Sequence, residues 1–147
     1  MSEAGQLVLW SLWSLWSLWS RDRRGEPQGV YSHDTALAVR DLSYVNPAKL
    51  HMTVPPGFRR NSETPAVLVL HKREVSPPEV IRERGYALTK PIRAILDCAE
   101  EGPDRDLLRQ ALEQGLRRGL ITRQEHKEAR SIMDLPGWLR KMLEKAA

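Results

Sequence analysis

Apolar and polar residues alternate through Leu50-His51-Met52-Thr53-Val54, the period of a strand with one buried face. Pro55, Pro56 and Gly57 stop it. Val67 to Leu70 is an unbroken apolar run, which predicts a strand buried on both faces. Arg84 to Thr89 predicts a third short strand after a glycine turn, and Gly29-Val30-Tyr31 reads as the end of another extended segment. Elsewhere the spacing turns helical. Ser32 precedes Ala36, Leu37 and Val39 and is the predicted N-cap of a short helix, with Asp34 in its first turn and Asn46-Pro47 beyond it. Thr89 is the predicted cap of a helix carrying Ile92, Ile95, Leu96 and Ala99, with Pro91 in its first turn and Gly102-Pro103 as the stop. Asp104 opens a helix with a stripe of Leu107, Leu108, Ala111, Leu112 and Leu116, ended near Gly119. Thr122 and Glu125 form a capping box for the next helix, and residues 136–147 form a last amphipathic helix with Trp138, Leu139, Met142 and Leu143. Ser76-Pro77-Pro78-Glu79 reads as a loop or as a helix start with proline in the first turn. Strands followed by helices predict an α+β single domain, with a small three-stranded sheet packed against several helices.

One stretch fits neither period. Leu7 to Ser20 reads LVLWSLWSLWSLWS, with tryptophan at Trp10, Trp13, Trp16 and Trp19. Residues three apart drift about 60° around a helix, so a repeat helix here is apolar on most of its circumference and must be buried, inserted in lipid or sticky. The apolar run falls short of the roughly 20 residues a bilayer needs, so no membrane span is expected. A signal peptide fits poorly, because Glu3 stands where positive charge belongs and Arg21-Asp22-Arg23-Arg24 lies on the wrong side. An interfacial anchor is one reading of the repeat. The preferred one is tandem duplication of a short unit ahead of Trp19-Ser20-Arg21-Asp22-Arg23. The expected organisation is a Leu-Trp-Ser repeat segment and basic linker over 1–28, a domain over 29–130 and an amphipathic C-terminal helix over 131–147.

Composition narrows the chemistry. The 147 residues hold one core; 41% are hydrophobic and 29% charged, as in an ordinary globular protein. Lys+Arg 23 against Asp+Glu 19 leaves +4, which is compatible with nucleic acid without demanding it. Cys98 is the sole cysteine, so a disulfide framework is excluded; its apolar helical setting reads as core rather than nucleophile. His33, His51, His71 and His126 show no i, i+4 pair for a zinc helix, and no metal or cofactor is expected. Ser32, His33 and Asp34 are consecutive and cannot form a triad unaided, and capping explains His33 and Asp34 more simply than acid–base or metal chemistry. No Walker loop, dinucleotide loop or Gly-x-Ser-x-Gly elbow is present, so no enzyme is expected.

The segments VYSHDTALAVRDLS and VNPAKLHMTVPPGFRR, followed by LVLHKREVSPPEV, ERGYALTKPIRAILDCAE and LRQALEQGLRRGLIT, resemble in order the C-terminal domain of AbiEi-type antitoxins. These belong to bacterial type IV toxin–antitoxin and abortive-infection systems. The resemblance spans roughly residues 29–130. It implies a cytoplasmic, non-catalytic antitoxin, whose functional partner is a separate nucleotidyltransferase-like toxin that it need not touch. Relatives of that kind place a DNA-binding winged helix-turn-helix before this domain, and no such pattern is read here.

The remaining functional candidates are cations. Arg59 and Arg60 lie beside Phe58 on a loop, and Lys72 and Arg73 end the neighbouring strand. If the two strands pair, these four form one basic face for DNA or RNA phosphate. Two alternatives stay open: a DNA-binding transcriptional regulator of the same operon type, and an interaction module self-associating through Trp10, Trp13, Trp16 and Trp19.

Overall fold

The structure, a computed structural model, describes residues 15–42, 49–58, 63–102 and 104–146. It divides into two units, each assembled from two separated stretches of chain: Met1–Ser32 with Ala48–Thr89, and His33–Pro47 with Lys90–Ala147.

The first unit holds a mixed five-stranded sheet where three strands were expected. Its strands are β1 (Val30–Tyr31), β2 (Leu50–Val54), β3 (Leu68–Lys72), β4 (Val80–Glu83) and β5 (Tyr86–Thr89), in the order β3-β2-β1-β5-β4. β1 lies antiparallel to β2 and parallel to β5, β2 and β3 are parallel, and β4 and β5 form an antiparallel hairpin. Gly85, at φ +91°, turns that hairpin in a region of backbone space open to glycine. The Pro77–Glu79 stretch is a single 3-10 turn, boxed by Ser76 and Glu79. β3 is an edge strand, not the doubly buried one expected: only Leu68 of its five residues is buried, because it has one neighbour, β2.

Pairing explains the core of this unit. Tyr31 stands opposite Met52 on one side and Leu88 on the other, so three fully buried side chains line up across the sheet on one face. Trp19 packs on Phe58 with ring centroids 5.6 Å apart. The expected Trp/Leu-repeat helix is described only as one π-helical turn, Leu15–Trp19, closed by Ser20 N–H donating to the Leu15 carbonyl at 3.0 Å. Trp10 and Trp13 lie outside the described residues. From Arg21 to Gln28 the predicted loop is organised by Asp22, whose carboxylate accepts from the Arg24 and Glu26 backbone N–H groups at 2.8 and 3.0 Å.

The second unit is helical: α1 (His33–Val39), α2 (Pro91–Glu100), α3 (Arg105–Arg117), α4 (Arg123–Arg130) and α5 (Gly137–Lys145). α1 packs on α2, α2 on α3 and α4, and α4 on α5. The core is Ala36, Leu37, Ile95, Leu112, Ile121, Leu139 and Leu143, each almost wholly removed from solvent. Two predicted caps are in place. Asp104 accepts from the Asp106 and Leu107 N–H groups at 3.0 and 3.3 Å, and Thr122 and Glu125 bond reciprocally at 3.0 and 2.8 Å. Thr89 is a correction. It is the last residue of β5, and Lys90 holds the N-cap position of α2 without a side-chain bond. Pro91 supplies the start instead, since its fixed φ suits the first turn and it has no N–H to satisfy.

Candidate nucleic-acid interface

In the first unit, β2 and β3 pair in parallel with Val54 opposite Lys72, so their C-terminal ends emerge on the same side of the sheet. The Arg73 N–H extends the pairing by donating to the Val54 carbonyl at 3.0 Å. This is the strand juxtaposition on which a shared basic face depends. Lys72 is exposed and Arg73 half-buried. Successive strand residues face opposite ways, so the two cations project on different faces of the sheet rather than side by side. Arg59 and Arg60 lie outside the described residues; Phe58, just before them, is buried against Trp19.

The same register brings together two histidines that the sequence shows only as isolated residues. His51 and His71 meet across β2 and β3, Nδ1 to Nε2 at 2.9 Å, with rings 18° from parallel. Such a bond joins one N–H to one bare nitrogen, so at least one ring is neutral. Two imidazole nitrogens at this separation are also donors of the kind transition metals take. Helical i, i+4 spacing could not reveal them; the signal is one histidine on each of two strands, readable only once their register is known. On the same face, Thr53 Oγ1 donates to Ser32 Oγ at 2.8 Å, both residues being buried. Ser32 stands at the expected position directly before α1, with its hydroxyl joined to β2 by this bond.

His33 and Asp34 go to separate partners within the second unit. His33 Nε2 lies 3.9 Å from Glu101, and Asp34 accepts from the Cys98 thiol at 3.5 Å. His33 also starts α1 at φ +55°, a left-handed backbone uncommon outside glycine. Burial pushes the Cys98 thiol well up from its ordinary value, and the Asp34 carboxylate beside it pushes the same way. A thiol held protonated is a poor nucleophile.

The second unit carries the other concentration of charge. α3 and α5 present Arg105, Arg109, Lys141 and Lys145 around Trp138, and the Arg105 guanidinium carbon stands 4.5 Å from the Trp138 ring centroid. Trp138 belongs to the amphipathic stripe of α5 and, half-buried beside four cations, also offers a surface for stacking.

No family model matches the chain, and no curated protein matches it. Among the described residues no helix is long and apolar enough to cross a membrane. Trp19 is 9% exposed and packed on Phe58, so its ring belongs to the interior of the first unit rather than to a self-association surface.

Proposed function

We propose that this protein is a non-catalytic antitoxin-like component of an AbiE-type, type IV toxin–antitoxin system, acting in the bacterial cytoplasm against a nucleotidyltransferase-like toxin. The observation that carries the reading is the ordered set of antitoxin-like segments, each of which falls on regular structure. VYSHDTALAVRDLS covers β1 and α1, KLHMTVPPGF covers β2 and its stop, and LVLHK is β3. ERGYALTKPIRAILDCAE runs through β5 and α2, and LRQALEQGLRRGLIT covers most of α3.

The mechanism is binding. Cys98 is buried and its thiol donates to the Asp34 carboxylate, which helps to hold its proton, while His33 lies against Glu101. Exposed Lys72 at the paired ends of β2 and β3 is the phosphate-binding element assigned to the first unit. Co-expression with a nucleotidyltransferase-like toxin of an AbiE-type system tests the reading: growth is restored when the antitoxin is induced. Undiminished toxicity at matched expression removes the antitoxin assignment.

A further inference from the structure

A cleft of about 280 Å³ opens between α3 and α5 in the second unit. Arg105 and Arg109 line it from α3, and Trp138, Lys141, Met142 and Lys145 from α5. Its two acids are already engaged: Arg109 lies 3.8 Å from Asp106 and 3.3 Å from Glu113. Arg105, Lys141 and Lys145 have no acid partner among the described residues. Helix electrostatics does not account for all three. Arg105 is the first residue of α3, where the dipole already presents positive charge, and Lys141 sits in the middle of α5, one turn from the like charge of Lys145. Lys145 alone is placed to complement a helix end.

We propose that this cleft takes one nucleotide of a single-stranded nucleic acid, its base stacked at Trp138 and Arg105 and its phosphates held by Lys141 and Lys145. Three uncompensated cations call for a polyanion. A half-buried indole with a guanidinium over it calls for a flat π surface, which a nucleobase supplies and a carboxylate side chain does not. The volume is close to the lower end of small-molecule sites, roughly 300 Å³, so it holds one such unit. Arg105, Arg109, Lys141 and Lys145 are all exposed, which leaves the cleft open for a strand to enter and leave. In a duplex the bases are stacked on one another and cannot reach the ring. This site goes beyond the antitoxin reading and stands without it.

The test is fluorescence anisotropy of a labelled single-stranded 12-mer titrated with the full chain at several salt concentrations. The parent binds with a clear salt dependence. Lys141→Glu/Lys145→Glu, at two exposed positions, weakens binding at least tenfold and flattens the slope of log K against log salt by about 1.4, at roughly 0.7 per lost phosphate contact on single strands. Trp138→Phe keeps most of the affinity, whereas Trp138→Leu loses about tenfold with an unchanged salt slope, since stacking carries no counterion term. Circular dichroism identical to the parent confirms that the double variant is folded. The assignment is overturned if that variant binds like the parent, if a duplex binds as well as the single strand, or if poly-glutamate displaces the oligonucleotide at equal charge. A loss confined to Lys72→Glu moves binding to the strand ends of the first unit, overturning the cleft while leaving the antitoxin reading intact. Failure of toxin rescue with cleft binding preserved does the reverse.

Discussion

Two buried titratable residues govern how the fold responds to base. Burial pushes the pKa of the Cys98 thiol up, with the Asp34 carboxylate adding to it, and burial likewise pushes up that of the Tyr31 phenol. Both groups are neutral when protonated, so the folded state holds its proton more tightly than the unfolded chain does. The corresponding stability is complete below the unfolded values, about 8.5 for a thiol and about 10 for a phenol, and declines as pH rises beyond them. Urea melts should therefore show a plateau near neutrality and a fall above about pH 8.5, and Cys98→Ala should delay the onset of that fall toward pH 10. An unchanged onset would show that Cys98 contributes nothing to it. Arg93 and Asp97 make the complementary case. Their ion pair is 2.8 Å long, with Asp97 only 2% exposed on α2. Arg93→Ala leaves a buried carboxylate without its main counter-charge and is expected to destabilise by about 3 kcal/mol in equilibrium unfolding; Asp97→Asn, which removes the charge, costs less.

Gly115 makes a sharper case, because local propensity and packing oppose each other in one helix. Alanine in an exposed helix interior is favoured over glycine by about 1 kcal/mol. Here a Cβ at residue 115 would lie 2.6 Å from Ile121 Cδ1, and Ile121 is fully buried where the chain folds back after α3. The Gly115 carbonyl also accepts from the Leu120 and Ile121 N–H groups at 2.9 and 3.0 Å, with Gly119 at φ +73° turning the chain between them. Gly115→Ala is therefore expected to destabilise by about 1–3 kcal/mol, read as a lower melting midpoint; a rise would mean Ile121 moves aside freely. Sequence carried much at this scale. Asp104, Thr122 with Glu125, and Gly119 mark helix ends through local chemistry, and each of those marks is where it was read. β1 is legible only as the extended end Gly29-Val30-Tyr31, since two residues are too few to show alternation, and β4 is hidden because Val80-Ile81-Arg82-Glu83 is an edge strand with no buried polar–apolar period. The apolar run at Val67–Leu70 misled because hydrophobicity reports nothing about how many neighbours a strand has. The His51–His71 pair and the cleft at Trp138 depend on register and on helix pairing, which no single segment encodes.

The chain passes between the two units three times, at residues 32/33, 47/48 and 89/90, so neither unit is a contiguous piece of sequence. This predicts how the protein fails when cut. A fragment 1–89 contains every residue of the first unit together with α1, but lacks α2. α1 has seven residues, far below the length at which a helix holds by itself, and its buried residues Ala36 and Leu37 belong to the core of the second unit. Its ties within that unit, Asp34 to Cys98 and His33 to Glu101, are lost with the removed residues. In the fragment, amide exchange from Ala36 to Val39 is expected to be as fast as in an unfolded peptide, while in the full chain these amides are protected. The β2–β3 pairing lies wholly inside the first unit and depends on no residue after Thr89, so amides of Met52 to Val54 are the internal comparison. Protection that persists in α1 of the fragment would mean that its stability comes from somewhere other than α2. Protection lost across β2 as well would mean that the sheet needs the helical unit to form, and that binding by the strand ends and binding by the α3–α5 cleft cannot be separated by truncation, only by substitution.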